Sequence, residues 1–329
     1  MIVETIDQGW GTEHPLKQME MEIVNRYLHP YRKDASRTVI INSTWYDDRL
    51  HAQLQQRFKR DPPDRIVLIS MLDSAICQPH MFANFGCEVR GVGYYPGTDW
   101  IDYWSVVVDR HMTLPGINLL DEGQIDRAFM CLNRKPHWHR ARLYRQMLQA
   151  GIVDEGLVSM GGDSGRAQRL LPQDSGTSNL APNGGPEQTG IANDIVTLGH
   201  ATNWQRHFIN IVTETQYDVS GTTFVTEKIY KPMLGLRPFL VYAPDGACAW
   251  LEDQGFQNFT HDFCDMTDLA LSQPDNLVPF LHQLVLQGPC YWQHKLLALR
   301  EKILHNRLQF DRHIHKQKIK IDQGIKCLT

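Results

Sequence analysis

Short apolar segments of β type alternate with helical segments along this sequence, and that alternation constrains the fold more than any other feature. Four such segments lie in the first third of the chain, at 38–42, 65–72, 88–95 and 104–108. Short apolar runs separated by helical or polar stretches are typical of a parallel sheet that is covered on both faces. The sequence therefore predicts an α/β fold.

A second series of the same kind begins near residue 127. We expect strands at 128–132, 157–160, 208–213, 237–242 and 256–259, and helices from Pro136 and at 226–234, 245–254, 276–287 and 291–309. Two series predict two units, an N-terminal one over residues 1–126 and a C-terminal one over 127–310. Residues 311–329 are basic and poor in apolar side chains, which predicts a solvated tail.

Residues 161–198 differ in composition from the rest of the C-terminal series. They are rich in Gly, Pro, Ser, Asn and Gln and contain no aromatic residue. A long segment of this kind is either a mobile functional loop, such as a lid over a cleft, or a disordered stretch. Both interpretations predict a mobile loop within the C-terminal unit.

Composition excludes several classes of protein. Hydrophobic residues make up 42% and charged residues 21% of the chain, as in ordinary globular proteins. The net charge of −4 and the pI of about 6.4 weigh against binding to nucleic acid through its phosphates. The seven cysteines include no CxxC pair, which predicts reduced thiols. The sequence has no membrane-spanning apolar run and no N-terminal signal pattern, so we expect a cytoplasmic protein.

The segment 224–243 is the most informative for function. Thr226 suits a helix N-cap, and Glu227 and Lys228 would occupy the first turn, with Tyr230 and Lys231 one turn further on. A lysine is unfavourable beside the positive end of a helix dipole unless an anion binds there. Glu227 could accept the two hydroxyls of a ribose. The alternative is a surface helix with an ordinary Glu–Lys pair.

A second candidate site follows the strand at 128–132. Asn133 and Arg134 stand at the strand end, and Arg140 lies in the next helix. Arginine side chains match the oxygens of phosphate groups, so this cluster could clamp a diphosphate. The alternative is a basic helix start with solvated side chains. Glu214 follows the strand 208–213 in the same way as Asn133 follows its own.

Three segments resemble, in the same order, those of glycosyltransferase family 10, the α-1,3-fucosyltransferases. They are Val225-Thr226-Glu227-Lys228-Ile229 with Pro238-Phe239-Leu240-Val241, then Phe259-Thr260-His261-Asp262-Phe263, and upstream Phe129-Met130-Cys131-Leu132-Asn133-Arg134. Tyr230-Lys231-Pro232 departs from the fucosyltransferases and is closer to a divergent branch from phages, large viruses and bacteria.

The resemblance implies a GT-B architecture, with two Rossmann-like domains, a cleft between them and the donor held mainly by the C-terminal domain. Glu227 would bind the donor ribose, while Lys228 and Arg134 would neutralise the diphosphate without a metal ion. The implied reaction is an inverting transfer of a sugar such as fucose from a nucleotide diphosphate, with a GDP-sugar favoured, to a glycan or another hydroxyl acceptor. No cofactor is implied beyond this nucleotide-sugar co-substrate.

The catalytic base is the least defined part of the site. An inverting transfer needs a carboxylate or histidine to accept the proton of the acceptor hydroxyl. The family places this group in the N-terminal domain, where Asp73 is the first candidate, Asp47 the second and His80 the third. Two alternatives stay open: a catalytically inactive GT-B-like protein that binds nucleotide or glycan, and a glycosyltransferase that modifies nucleic acid.

Overall fold

The computed structural model of the chain describes residues 2–6, 37–42, 48–69, 87–92, 125–133, 136–160, 198, 201–215, 217, 225–243, 246–265 and 267–326. The chain divides into two compact units, one comprising Met1–Ser105 with Ile314–Thr329 and the other Val106–His313. Each unit holds a four-stranded parallel sheet, which confirms the α/β class. The boundary at residue 126 stays a prediction, because residues 93–124 lie outside the described part of the chain.

The sheet of the first unit follows the order of its strands in the chain. These strands are β1 (Ile2–Ile6), β2 (Arg37–Asn42), β3 (Arg65–Ile69) and β4 (Glu88–Val92). Helix α1 (Asp48–Arg60) connects β2 to β3 and buries Leu54 and Phe58, which share one face because they are one turn apart. No strand is predicted at β1, since Glu4 and Thr5 interrupt its few apolar residues.

The sheet of the second unit has the order β6-β5-β7-β8, with every neighbouring pair parallel. The strands are β5 (Arg127–Asn133), β6 (Gly156–Met160), β7 (His207–Thr213) and β8 (Phe239–Tyr242). All seven residues of β7 are buried, as expected for an inner strand covered on both faces. In the sheet, β6 therefore lies on one side of β5, and β7 and β8 lie on the other side.

Eight described helices accompany and follow this sheet. They are α2 (Trp138–Gln149), α3 (Ala201–Arg206), α4 (Tyr230–Leu234), α5 (Ala247–Asp253), α6 (Thr260–Phe263), α7 (Asp268–Leu271), α8 (Pro274–Ala298) and α9 (Arg300–Lys326). Single 3-10 turns occur at Val153–Glu155 and Glu227–Ile229. No described helix combines the length and apolarity that crossing a membrane requires.

The strand predicted at 256–259 is wrong. Phe256 and Phe259 are buried, but their backbone joins no sheet and leads into α6. The side chain of Asn306 on α9 accepts a hydrogen bond from the Gln257 N–H at 2.7 Å and donates one to its carbonyl at 2.8 Å. Because Asn306 satisfies both backbone groups, this apolar segment is buried without a neighbouring strand.

The basic residues from 312 onward continue α9 as far as Lys326, so the segment predicted as a solvated tail is helical over this range. The buried residues Ile303, Asn306, Phe310 and His313 lie on one face of the helix, at spacings of three and four. His313 contacts the rings of Tyr230 and Phe256. A low apolar content therefore conceals a helix that is anchored by a few well-spaced side chains.

A buried histidine at the start of β7 gives the fold a pH dependence. His207 lies beside the cation of Arg237, whose Nε donates to the His207 carbonyl at 2.8 Å. Burial first, and then the Arg237 charge, lower the pKa of His207 from 6.5 to about 3. The unfolded chain therefore takes up a proton below pH 6.5 that the folded chain refuses, so stability is lost as the pH falls from there towards 3.

Replacing His207 with Phe should flatten this dependence. From the two pKa values, wild-type protein loses about 2 kcal/mol of unfolding free energy at pH 5 through this group alone. Between pH 7 and pH 5, we expect the unfolding free energy of the variant to fall by about 2 kcal/mol less than that of wild type. Urea denaturation at the two pH values measures this difference. His282→Asn, at an exposed position on α8, is the control. Equal losses for wild type and His207→Phe would contradict the prediction.

Candidate functional site

The strand order of the second unit places a topological switch point at the carboxyl ends of β5 and β7, where a ligand-binding crevice is expected. In open parallel sheets, ligands bind where the connections from two adjacent strands leave in opposite directions. Here the connection from β5 leads to β6 and the one from β7 leads to β8. The β5–β7 ladder extends only to Met130 and Asn210, whereas β5 pairs with β6 up to Asn133. The two inner strands thus end beside the crevice without pairing there.

Asn133 joins the strand ends beneath this crevice. Its Oδ1 accepts a hydrogen bond from Thr213 Oγ1 at 2.5 Å, which links β5 to β7 beyond their ladder. Its backbone N–H donates to Ser159 Oγ on β6, and its Nδ2 donates to Cys131 Sγ. Burial raises the pKa of Cys131 to about 11, so this acceptor stays a thiol at neutral pH. Asn133, predicted to bind the donor, is buried and ties three strands together.

The first turn of α2 is attached to the end of β7. Arg140 is only 3% exposed, and its Nη2 donates to the Thr213 carbonyl at 2.8 Å. His139 is also buried, with its Nε2 2.9 Å from the Glu214 carbonyl. Arg140 is therefore a buried link between α2 and β7. It is not the exposed side chain that the predicted diphosphate clamp requires. Its charge still lies at the crevice end of the sheet.

Glu214 organises the segment that carries Lys228. It is completely buried, and its carboxylate accepts hydrogen bonds from the Thr226 N–H at 2.9 Å and from Thr226 Oγ1 at 2.6 Å. Thr226 Oγ1 in turn accepts a hydrogen bond from Lys228 Nζ at 2.9 Å. The sequence predicts Glu214 as a donor-binding residue, and the structure engages its carboxylate with Thr226. The partly exposed ammonium of Lys228 is fixed at the crevice by this relay.

The predicted helix 226–234 takes a different form. Residues Glu227–Ile229 form a 3-10 turn, and the α-helix comprises only Tyr230–Leu234. Thr226 donates its hydroxyl to Glu214, so it is not the N-cap that the sequence suggests. A five-residue helix supplies little dipole, and the position of Lys228 depends on the side chains around it.

Two further predicted residues lie on α4. Tyr230 is fully buried and packs against the rings of Phe310 and Phe256 and beside His313, so it is a core residue and does not reach the crevice. Lys231 is partly exposed. Of these two, only Lys231 remains a candidate for contact with a ligand.

Five rings gather at the carboxyl ends of the strands, and no pattern in the sequence marks them as a group. This aromatic cluster consists of His137, Trp138, His139, Tyr217 and Tyr242. Tyr217 stacks on His139 with 5.1 Å between centroids and on Tyr242 with 4.9 Å. Burial, and then the neighbouring Tyr217, raise the pKa of Tyr242, so its hydroxyl stays neutral.

Trp138 is the exposed member of this cluster. Of this residue, 44% is exposed. Leu132 near the end of β5 is 37% exposed although its neighbours on the strand are buried. Apolar side chains are thus open to solvent beside the crevice, where an inner strand of a covered sheet would normally bury them.

The remaining predicted site residues lie outside the described part of the chain. These are Arg134 and the three candidate bases Asp73, Asp47 and His80. Glu227 is described only in its backbone, which belongs to the 3-10 turn. Within the described residues, no three His, Cys, Asp or Glu side chains are grouped as metal ligands would be.

No protein-family model matches the chain, and no curated protein is significantly similar to it in sequence. Functional inference therefore rests on the motifs of the sequence and on the geometry of the crevice.

Proposed function

We propose that the protein is a metal-independent, inverting glycosyltransferase that moves a sugar from a nucleotide diphosphate to a hydroxyl acceptor. On this proposal the two units are the Rossmann-like domains of a GT-B enzyme that works in the cytoplasm. The donor occupies the crevice at the ends of β5 and β7, and the first unit supplies the acceptor site and the base. Asp73, Asp47 and His80 are the candidates for that base.

The observation that carries the proposal is the relay from Glu214 through Thr226 to Lys228 at a topological switch point. Switch points of parallel sheets are where nucleotides bind in α/β proteins. A buried carboxylate that fixes a threonine, which in turn fixes a lysine ammonium 2.9 Å away, holds a positive charge in one place. A positive charge that is already in position stabilises an anion developing beside it, because little reorganisation is needed during the reaction.

The reaction that this arrangement supports is a single displacement. The acceptor oxygen attacks the anomeric carbon while the base takes its proton, and the bond from that carbon to the diphosphate breaks with its electron pair. Negative charge then accumulates on the departing diphosphate. Lys228, together with Arg134 on the segment that follows β5, would stabilise that charge, and Glu227 would hold the ribose.

Substitution of Lys228 by Ala should weaken the binding of nucleoside diphosphates by about 10- to 100-fold, since hydrogen bonds to charged groups contribute roughly 1.5–3 kcal/mol. The measurement is calorimetric titration with GDP, UDP, ADP and CDP in the presence of EDTA. Lys59→Ala, at an exposed position of α1, should leave affinity unchanged. If no diphosphate binds the wild-type protein, or if Lys228→Ala binds as well as wild type, the donor site is misplaced.

The same preparation separates an enzyme from a binding protein. A glycosyltransferase commonly hydrolyses its donor slowly when water replaces the acceptor. This hydrolysis can be compared among variants in which Asp73, Asp47 or His80 is replaced by Asn. Loss of hydrolysis in one of these variants, with nucleotide affinity retained, would identify the base. Tight nucleotide binding without turnover of any nucleotide-sugar would favour the catalytically inactive alternative.

A further inference from the structure

Trp138 exposes its side chain to solvent beside the carboxyl end of β5. It is the first residue of α2, which begins after the connection that follows Asn133. Large exposed aromatic residues are common on surfaces when they stand alone. Trp138 does not stand alone, because its ring makes edge contacts with Tyr217 at 5.5 Å and with His139 at 5.7 Å between centroids.

The rings behind Trp138 are held in place. Tyr217 stacks between His139 and Tyr242 and donates its hydroxyl to the Ser272 carbonyl. His139 is buried, and its Nε2 lies 2.9 Å from the Glu214 carbonyl. An indole supported edge-on by two fixed rings loses little freedom when a planar ligand stacks on it, and such preorganisation favours binding.

Glu214 connects this aromatic cluster to the charged part of the crevice. Its backbone carbonyl lies against His139, and its carboxylate accepts both hydrogen bonds from Thr226. His139, whose ring the indole contacts, and Thr226, whose hydroxyl holds the Lys228 ammonium, are therefore both bound to one buried residue. A ligand with a flat ring at one end and a phosphate group at the other matches this pair of features.

We propose that Trp138 is the stacking surface for the nucleobase of the bound nucleotide. This inference rests on the proposed function, because it assigns the base of the nucleotide whose diphosphate Lys228 binds. Every nucleobase has a π-face, so stacking contributes affinity without selecting one base. Trp138 thus sets how tightly any nucleoside diphosphate binds, and other contacts decide which base is preferred.

The test compares ligands with and without a base. Trp138→Ala and Trp138→Phe are titrated calorimetrically with ADP, GDP, UDP, CDP and inorganic pyrophosphate. We expect Trp138→Ala to weaken every nucleotide that binds the wild-type protein by about 5- to 100-fold while leaving pyrophosphate binding unchanged. Trp138→Phe, which keeps an aromatic face, should recover much of the affinity. Tyr291→Ala, at an exposed aromatic position on α8, is the matched control and should have no effect.

The outcomes separate the two proposals. If Lys228→Ala weakens nucleotides and pyrophosphate but Trp138→Ala changes neither, the donor site stands and the stacking role is overturned. If Trp138→Ala weakens nucleotides and pyrophosphate alike, the residue supports the fold of the site and does not stack on a base. If nucleotides bind through Trp138 but pyrophosphate does not bind and Lys228→Ala changes nothing, the stacking role stands and the diphosphate site proposed at Lys228 fails. Absence of nucleotide binding to the wild-type protein overturns both.

Discussion

Replacement of Glu214 by Ala should destabilise the protein by about 3 kcal/mol, because each buried donor that is left without its acceptor costs about 1–3 kcal/mol. The carboxylate is completely buried and accepts two hydrogen bonds from Thr226, one from its N–H and one from its hydroxyl. Its loss leaves both donors without this acceptor in an interior from which water is excluded. Urea denaturation of wild type and variant at pH 7 measures the difference.

A milder variant separates stability from binding. Glu214→Gln keeps the shape of the side chain, but its amide offers only one acceptor atom where Thr226 presents two donors. We expect about tenfold weaker binding of a nucleoside diphosphate, because Thr226 can no longer hold Lys228 in place. In a Lys228→Ala background the same change should add almost nothing, as coupled residues are not additive. Fully additive losses of affinity would show that Glu214 acts independently of Lys228.

Substitution of Gly235 by Ala should cost about 3 kcal/mol, at the upper end of the range for overpacked cores. A Cβ at this position would overlap Cε3 of Trp204 and lie 2.5 Å from its Cδ2 and Cζ3. Trp204 is buried, and its Nε1 donates to the Leu198 carbonyl at 2.7 Å, so the ring cannot move aside cheaply. The urea midpoint of the variant should fall accordingly.

A second glycine provides the matched control. At Gly151 a Cβ would meet nothing within 4 Å, but φ is +69°, so Gly151→Ala isolates backbone strain of about 1–2 kcal/mol. Gly235 has an ordinary φ of −80°, so its cost should come from the contact with Trp204 alone. Trp204→Leu should therefore reduce the additional penalty of Gly235→Ala. An alanine at 235 that is tolerated in the wild-type background would mean that the close approach is relieved by a small shift.

Much of the second sheet is predictable from the sequence, because buried parallel strands are continuous apolar runs. The runs at 128–132 and 208–213 lie within β5 and β7, and the observed ends differ by one residue. The same criterion fails at 256–259, where the decisive contact comes from Asn306, a residue far away in the chain. The low apolar content of residues 312–326 does not reveal that they continue α9, in which His313 contacts aromatic rings.

The candidate site is predictable in position but not in the roles of its residues. The strand ends after Leu132 and Thr213 indicate the crevice, since ligands bind beyond the carboxyl ends of strands. Sequence spacing cannot show that Arg140 and Glu214 are buried and bonded to neighbouring segments, because burial depends on the sheet order. Periodicity identifies the apolar face of α2 but not which end of the helix is covered, so the exposure of Trp138 at its first turn is not predictable.

The order of the second sheet also has a consequence for folding. Its inner strand β5 pairs with β6 after a short connection that contains α2, whereas Asn133 and Thr213, which hydrogen-bond across the crevice, are 80 residues apart. Closing a long loop costs more entropy than closing a short one, and distant pairings generally form late. The βαβ unit of β5, α2 and β6 can therefore assemble before the strand ends of β5 and β7 are brought together. The candidate site at the carboxyl ends of β5 and β7, including the relay to Lys228, forms only after β7 has paired with β5.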